Sequence, residues 1–147
     1  MEIEKQEIEV YNDLEIELPI AHIAIRKIIL STLNFYKKTS CKINIIAVDD
    51  KELKKMKNEY FNKNLFTDVI SFLLEDYENY IEGEVYLSPT IIKRNAIDYE
   101  QSFMNEFARV VIHGVLHLLG FEDDTKESKT EMTNLENKFL RELNYDI

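Results

Sequence analysis

The sequence predicts a mixed helix-and-strand fold, α+β or α/β, in a single domain spanning residues 1–147. Two observations lead to this prediction. Four short segments with strand patterns are interleaved with about five longer segments whose apolar residues recur at helical spacing. In addition, neither a linker-like stretch nor an internal repeat divides the chain, and 147 residues suit one domain with a substantial core.

Two kinds of strand pattern occur in the sequence. "EIEVYN" alternates charged and apolar residues, as a half-buried strand does, whereas "CKINIIAV" is rich in β-branched residues and is typical of a buried strand. "FTDVISFLL" and "GEVYLS" are predicted to be strands as well. The four predicted strands cover residues 7–12, 41–48, 66–74 and 83–88.

The first three predicted helices are marked by residues that favour helix starts. They cover residues 20–38, 49–63 and 89 to about 98. Pro19 opens the first, because proline is favoured at the start of a helix. Asp49 or Asp50 is expected to cap the second with its carboxylate. Ser88 and Pro89 supply a cap and a first turn for the third.

The fourth predicted helix is the most apolar element of the chain. It covers residues 102–120 and is apolar almost all round, so we expect it to be central in the fold. Gly120 is its predicted C-terminal stop. A last amphipathic helix is predicted from about Lys126 to Asn144. Asp124 is its expected cap, because Glu127 follows at the spacing of a capping box.

The overall charge disfavours one class of partner. The formal net charge is -10 and the sequence pI is about 4.8. Proteins that bind DNA or RNA usually present a basic surface, so bulk charge alone disfavours a nucleic-acid partner. A local basic strip can nevertheless act within a Debye length of about 8 Å at physiological salt. Charge therefore does not exclude RNA binding.

Cysteine content and hydropathy point to a compartment. Cys41 is the single cysteine, so no internal disulfide can form, which fits a reducing environment. The acidic N-terminus lacks the apolar stretch of a signal peptide. No apolar run approaches the roughly 20 residues that span a bilayer. We therefore expect a soluble cytoplasmic protein with no membrane partner.

Two of the three histidines lie on the apolar fourth helix in the pattern His113-x3-His117-x2-Gly120-x2-Asp123. Residues four apart share one face of a helix, so the two imidazoles can converge on one metal ion. Gly120 ends the helix and allows Asp123 to supply a third ligand from the following turn. Three protein ligands leave a fourth position open, which is the catalytic pattern of zinc.

Other interpretations of this stretch stay open at this stage. Both histidines could instead be core residues hydrogen-bonded to backbone carbonyls. Glu122 and Asp124 compete with Asp123 for the place of third ligand. Gly114 follows the first histidine where a zinc peptidase of the His-Glu-x2-His type carries its proton-accepting glutamate. We therefore expect either a hydrolase whose base lies elsewhere or a metal without peptidase chemistry.

Three stretches together resemble a known protein family. "HGVLHLLGF" (113–121) resembles the signature of the YbeY family, which comprises bacterial metal-dependent endoribonucleases linked to ribosomal RNA maturation and ribosome quality control. "TDVISF" (67–72) and "GEVYLS" (83–88) are similar to two of its strands, and Met132 and Glu136 echo its tail. The resemblance implies one α+β domain with a small mixed sheet of about four strands, about five helices and a central helix carrying the metal ligands.

The resemblance also implies an activity. It indicates a zinc-dependent endoribonuclease with one ion per chain, acting on single-stranded regions of ribosomal RNA in partnership with the small ribosomal subunit, and not on DNA. We take His113, His117 and Asp123 as metal ligands, and His113, His117 and Asp68 as catalytic residues. For Asp68 the alternative is a structural hydrogen bond at a strand start. For the whole protein the alternative is a ribosome-associated RNA-binding factor whose metal mainly holds the fold.

Two departures from the family pattern affect the site. Asp123 stands where the family usually has a third histidine. Carboxylate is an acceptable zinc ligand, so we expect a working site that is more negative and less selective for zinc over harder metals. Phe61 stands where the family usually carries an arginine a few residues before its Thr-Asp-Val strand. If that arginine holds phosphate, this chain must use another group.

The predicted second helix is the most basic segment of an acidic chain. Residues 51–63 contain five lysines and two glutamates, a local charge of +3. The predicted RNA-binding residues are Lys54, Lys55 and Lys57, with Arg94 as a further candidate. A few such contacts to phosphate are enough for salt-dependent binding. The alternative is an ordinary solvated helix face.

Overall fold

The computed structural model describes residues 5–143, which form one four-stranded mixed sheet and five α-helices. The strands are β1 (Gln6–Asn12), β2 (Ser40–Ala47), β3 (Val69–Tyr77) and β4 (Tyr80–Leu87). The helices are α1 (His22–Phe35), α2 (Asp50–Phe61), α3 (Pro89–Asp98), α4 (Phe103–Leu118) and α5 (Lys126–Glu142). The predicted α+β class, with about four strands and five helices, is confirmed.

The sheet has the strand order β1-β2-β4-β3. β1, β2 and β4 are mutually parallel, and β3 pairs with β4 in antiparallel fashion at one edge. A tight turn joins β3 to β4, whereas each parallel pair requires a longer connection. Along β2 and β4 every second residue is buried, because one face of the sheet is covered by helices.

α4 is the central helix, as the apolar stretch 102–120 predicts. It packs against α1, α3 and α5, and also against β3 and β4 of the sheet. Ten of its residues are buried, so most of its circumference faces protein. The strip left half-buried contains His113 and His117. Burial of the other faces therefore fixes where these two side chains point.

Gly114 is the point of closest approach between α4 and the sheet. A Cβ atom at this position would lie 2.7 Å from Cγ1 of Val85 and 3.3 Å from Oγ of Ser71. The Ser71 hydroxyl donates a hydrogen bond to the carbonyl oxygen of Gly114 at 2.8 Å. A glutamate cannot be accommodated here, so packing explains why the residue after His113 is glycine.

Several predicted helix ends are confirmed. Asp49 caps α2 by accepting a hydrogen bond from the Glu52 backbone N–H at 2.8 Å. Ser88 caps α3, and Pro89 is its first residue. Gly120 follows α4 with a φ of +99°, a left-handed conformation that glycine adopts without strain. These helix ends depend on residues that are close together in the chain, so the sequence alone predicts them.

The start of α5 differs from the prediction, and the proposed cap at Asp124 is wrong. Thr125 is the capping residue: its hydroxyl accepts from the Ser128 N–H at 3.0 Å, and the Ser128 hydroxyl accepts from the Thr125 N–H at 2.9 Å. Because Lys126 is the first helical residue, the cap falls on its immediate neighbour. Asp124 is left exposed.

The starts of α1 and β3 are shifted as well. α1 begins at His22 with Ala21 in the cap position, so Pro19 precedes the helix by three residues and does not open it. β3 begins at Val69, so Asp68 lies just before the strand. The predicted end of α5 at Asn144 lies outside the described residues. Within residues 5–143, no helix has the length and hydropathy that a bilayer span requires.

We expect Gly114→Ala to lower the free energy of unfolding by about 1 kcal/mol. Overpacking against the stiff Val85 side chain costs about 1–3 kcal/mol, while alanine recovers up to about 1 kcal/mol of helix propensity. Urea denaturation measures the difference. A stability gain of about 1 kcal/mol, which propensity alone would give, would show that α4 can move away from the sheet.

Candidate metal centre

Two imidazoles on α4 converge as their spacing predicts. His113 and His117 lie one helical turn apart, and their Nε2 atoms are 3.0 Å from each other. Both rings are half-buried, so one side of each remains open to a ligand.

The turn after α4 brings a carboxylate to the two histidines. The backbone N–H of Gly120 donates to the His117 carbonyl oxygen at 3.0 Å, and that of Phe121 donates to the Leu116 carbonyl oxygen at 3.0 Å. This closes the helix and reverses the chain. Oδ2 of Asp123 then lies 3.3 Å from His113 Nε2 and 3.6 Å from His117 Nε2.

The three side chains form an arrangement that fits a metal ion. Their ligand atoms all lie within 4.8 Å of one another, whereas Glu122 and Asp124 lie outside this group. In a tetrahedral site with bonds of 2.0–2.1 Å, ligand atoms are about 3.3–3.4 Å apart, close to the distances found here. Two imidazole nitrogens and a carboxylate oxygen also suit a divalent transition metal. The His113–His117–Asp123 cluster, hereafter the triad, could therefore hold one.

A carboxylate from α5 fixes the orientation of the first histidine. Nδ1 of His113 lies 2.6 Å from Oε2 of Glu136. An ionised carboxylate only accepts, so Nδ1 carries the proton and Nε2 keeps its lone pair for a metal. Arg109 donates to the other oxygen of Glu136 at 2.9 Å and to Oδ1 of Asn137 at 2.7 Å. Glu136 is thus held on both sides.

The role of Glu136 is one that sequence reasoning missed. The sequence marks it only as part of a resemblance, four residues after Met132. The position of Glu136 on the helix could have indicated a partner. Met132 and Glu136 are both buried on the apolar face of α5, where an unpaired glutamate is rarely found. The sequence does not show that its partner is His113, which lies 23 residues earlier in the chain.

The charges around the triad favour the binding of a cation between its three side chains. Burial lowers the pKa of His113, but the hydrogen bond and charge of Glu136, together with other nearby carboxylates, outweigh burial and leave it above its usual value. Burial and the neighbouring His113 ring lower the pKa of His117. His117 therefore favours the neutral form that ligates a metal, and positive charge is stabilised beside His113.

Asp68 lies beside the triad, just before β3. Its backbone carbonyl accepts a hydrogen bond from the Ser88 N–H at 3.0 Å, which ties the start of β3 to the end of β4. It lines two cavities, both of which His113 also lines. Burial raises the pKa of Asp68, and the nearby His113 only partly offsets this effect. A raised pKa makes a carboxylate a stronger proton acceptor.

The triad faces a polar cavity of about 550 Å³, hereafter the first cavity. Two lysines, Lys57 and Lys63, line it together with the triad. Burial lowers the pKa of Lys57, and the charge of Lys63 lowers it further. Nζ of Lys57 also lies 4.8 Å from the ring centroid of Phe61, which lines the same cavity. Two cations thus lie next to the candidate ligands, in a cavity that four carboxylates also line (Asp68, Glu122, Asp123 and Asp124).

The predicted RNA-binding residues separate into two groups in the structure. Lys57 reaches the first cavity, whereas Lys54, Lys55 and Arg94 do not line it. Nζ of Lys54 lies 4.4 Å from the ring centroid of Phe66, and Lys55 and Arg94 are exposed. The structure thus separates Lys57 from the other three predicted residues by location.

Comparisons with known proteins identify the family that this chain resembles. A family model described as Endoribonuclease YbeY matches residues 5–144. A relative named Endoribonuclease YbeY from Chloroherpeton thalassium is 44% identical over 119 residues, covering 81% of this chain and 84% of the relative. Another of that name, from Endomicrobium trichonymphae, is 35% identical over 133 residues, covering 90% and 93%.

A solved structure supports the fold separately. The solution structure of a protein from Thermotoga maritima matches with a TM-score of 0.61 at 23% sequence identity, covering 93% of this chain and 87% of that one. This likeness concerns the fold alone. The family match spans nearly the whole described chain, and the identity to the named relatives extends over most of it. The chain therefore belongs to the YbeY family.

Proposed function

We propose that this protein is a metal-dependent endoribonuclease that cleaves single-stranded regions of RNA. The observation that carries the proposal is the triad, whose open side faces a cavity lined by two lysines. The relatives that share this chain's sequence are named endoribonucleases. As the sequence resemblance implies, we further propose ribosomal RNA, in contact with the small ribosomal subunit, as the substrate and the cytoplasm as the location.

We propose zinc as the metal, with one ion per chain held by His113, His117 and Asp123. The ligand distances and the two imidazole nitrogens support this choice. Bound at the triad, zinc supplies Lewis acidity that polarises a phosphoryl oxygen of the substrate. The Asp123 carboxylate adds negative charge, so the site should also accept harder divalent metals more readily than a site of three histidines.

The chain's own residues have separate roles in this proposal. Lys57 and Lys63 bind the substrate phosphate from the wall of the first cavity. Asp68 accepts the proton of the attacking hydroxyl, either water or the 2′-hydroxyl of RNA, at a carboxylate oxygen. Its raised pKa supports this role, because a base works best when its pKa lies nearer the working pH. Glu136 keeps the His113 ring in the ligating orientation.

The alternative, a ribosome-associated RNA-binding factor with a structural metal, predicts a closed shell of four ligands. In the described part of the chain, the cluster contains three suitable side chains. A three-ligand site with an adjacent cavity is the pattern of catalytic zinc. This observation favours the enzyme over the binding factor.

We expect purified protein to contain about one zinc per chain and to cleave single-stranded RNA in a metal-dependent way. Asp123→Ala should abolish cleavage and lower metal affinity at least tenfold, because one of three protein ligands is lost. Chelator competition and elemental analysis measure the affinity, and a fluorescent RNA measures cleavage. Asp124→Ala is the matched control, since this exposed neighbour lies outside the triad. Equal losses in the two variants would refute the ligand assignment.

Glu136→Gln should weaken zinc binding about 10- to 100-fold, the usual cost of losing a carboxylate behind a ligating histidine. The glutamine keeps the volume but loses the charge that holds the proton on His113 Nδ1. Imidazole ¹⁵N chemical shifts should report a mixture of His113 tautomers in the metal-free variant. Glu131→Gln, at an exposed position of the same helix, should change neither quantity. Unchanged zinc affinity in Glu136→Gln would contradict the positioning role.

Lys57→Gln should reduce kcat/KM on RNA more than Lys55→Gln, since Lys57 alone of the two lines the first cavity. Losing one phosphate contact should also flatten the slope of log affinity against log salt by about 0.7. Binding titrations at several salt concentrations measure that slope. If the two variants behave alike, the helix acts only as a charged surface and the cavity position of Lys57 has no special role.

A further inference from the structure

A second cavity shares part of its lining with the first. It measures about 430 Å³ and is formed by the end of α3 and by residues of α4 and α5, together with Asp68 and Asp123. His113, Asp123 and Asp68 line both cavities. Two of the three triad residues therefore border both cavities. A substrate whose phosphate faces the triad can place an adjoining group in the second one.

The walls of the second cavity suit a flat, partly apolar group. Val110 and Met132 contribute apolar surface, and Tyr99 lies at the end of α3 with 62% of its surface exposed. Lys129, an exposed residue of α5, also lines it. Bases of single-stranded RNA are commonly stacked on aromatic side chains and hydrogen-bonded along their edges. A ligand site of this kind needs a few polar groups that fix orientation.

Glu106 is the least exposed of the polar residues that line the second cavity. It is only 4% exposed, yet it lines the cavity. Its nearest cation is Arg109, whose Nε lies 3.9 Å from Oε1, too far for a hydrogen bond. Arg109 donates its hydrogen bonds to Glu136 and Asn137. Within residues 5–143, no donor reaches the Glu106 carboxyl at hydrogen-bonding distance.

The environment of Glu106 indicates a carboxyl group that can accept hydrogen bonds from a ligand. Burial raises its pKa to about 7, and Arg109 opposes that shift. Solvent reaches the carboxyl oxygens through the cavity, and two N–H groups of a ligand would stabilise the ionised form. Perturbed carboxyl groups in clefts are candidates for functional sites. Glu106 takes no part in the proposed metal chemistry, so its position calls for another role.

We propose that the second cavity is a nucleobase subsite and that Glu106 selects guanine in the nucleotide next to the scissile phosphate. Guanine presents two adjacent donors, N1–H and the 2-amino group, which match the two oxygens of one carboxylate. Adenine and cytosine each place a ring acceptor beside their amino group, and uracil has one N–H between two carbonyls. This proposal rests on the proposed function, since it names part of the RNA that the site would take.

The test compares guanosine and inosine 5′-monophosphates on zinc-loaded protein, because the two differ only by the 2-amino group. Amide ¹⁵N NMR titrations measure both affinities. We expect the guanosine nucleotide to bind about tenfold more tightly, within the range that a bidentate base contact provides. Shifts should concentrate on α3, α4 and α5 residues around the second cavity. Equal affinities in the wild-type protein would overturn the proposal.

Two substitutions of Glu106 make the test specific. Glu106→Gln should bring the two affinities within about twofold, because an amide can pair with N1–H and O6 of either base. Glu106→Met should do the same with weaker binding. Glu131→Met, at an exposed site on α5, should keep the tenfold preference. A preference that survives both Glu106 variants would place the recognition elsewhere.

A failure of the subsite can be distinguished from a failure of the endoribonuclease proposal. Hydrolysis of bis(p-nitrophenyl) phosphate, which has no base, reports the metal site alone. Activity on that diester without guanine preference would overturn the subsite and leave the proposed function standing. Guanine preference that is lost in Glu106→Gln, combined with no zinc-dependent cleavage of RNA or of the diester, would support the subsite and refute the nuclease.

Discussion

The close packing of α4 against the sheet at Gly114 is the contact on which the rest of the site depends. Because no side chain separates the helix from Val85 and Ser71, α4 lies tightly against β3 and β4. That contact sets the rotation of the helix about its axis. His113 and His117 are consequently the half-buried residues beside the first cavity, and the same glycine removes the space for a peptidase-type glutamate.

Net charge does not describe the surroundings of the triad. The chain carries a formal charge of -10, yet Lys57 and Lys63 line the first cavity together with four carboxylates. Acidic side chains also have distinct environments here. Glu136 is held by Arg109, whereas burial raises the pKa of Glu106 to about 7. The local arrangement of charged side chains, and not the net charge of the chain, decides whether an anionic substrate can approach.

Much of the fold and the triad could be predicted, because the signals involved are local in the chain. The i,i+4 histidines, the glycine stop and the caps Asp49 and Ser88 all act within about one turn. The cap at Thr125 was missed because two adjacent residues could both serve. Glu136 and the cavity position of Lys57 depend on how α5 and α2 pack. A single sequence can mark Glu136 by its place on an apolar helix face, but it does not identify these long-range contacts.

The residues around Phe61 give a physical account of the position where the family usually carries an arginine. The Phe61 ring packs against the Phe72 ring, with 6.0 Å between the two centroids. Nζ of Lys57 lies 4.8 Å from the centroid of the Phe61 ring. An aromatic ring attracts a cation over its face, so Phe61 holds Lys57 near the first cavity. Where the resembled family places an arginine, this chain pairs an aromatic ring with a lysine one turn earlier. A lysine presents a point charge and cannot form the two parallel hydrogen bonds of a guanidinium. Phosphate should therefore be bound here with less directional control.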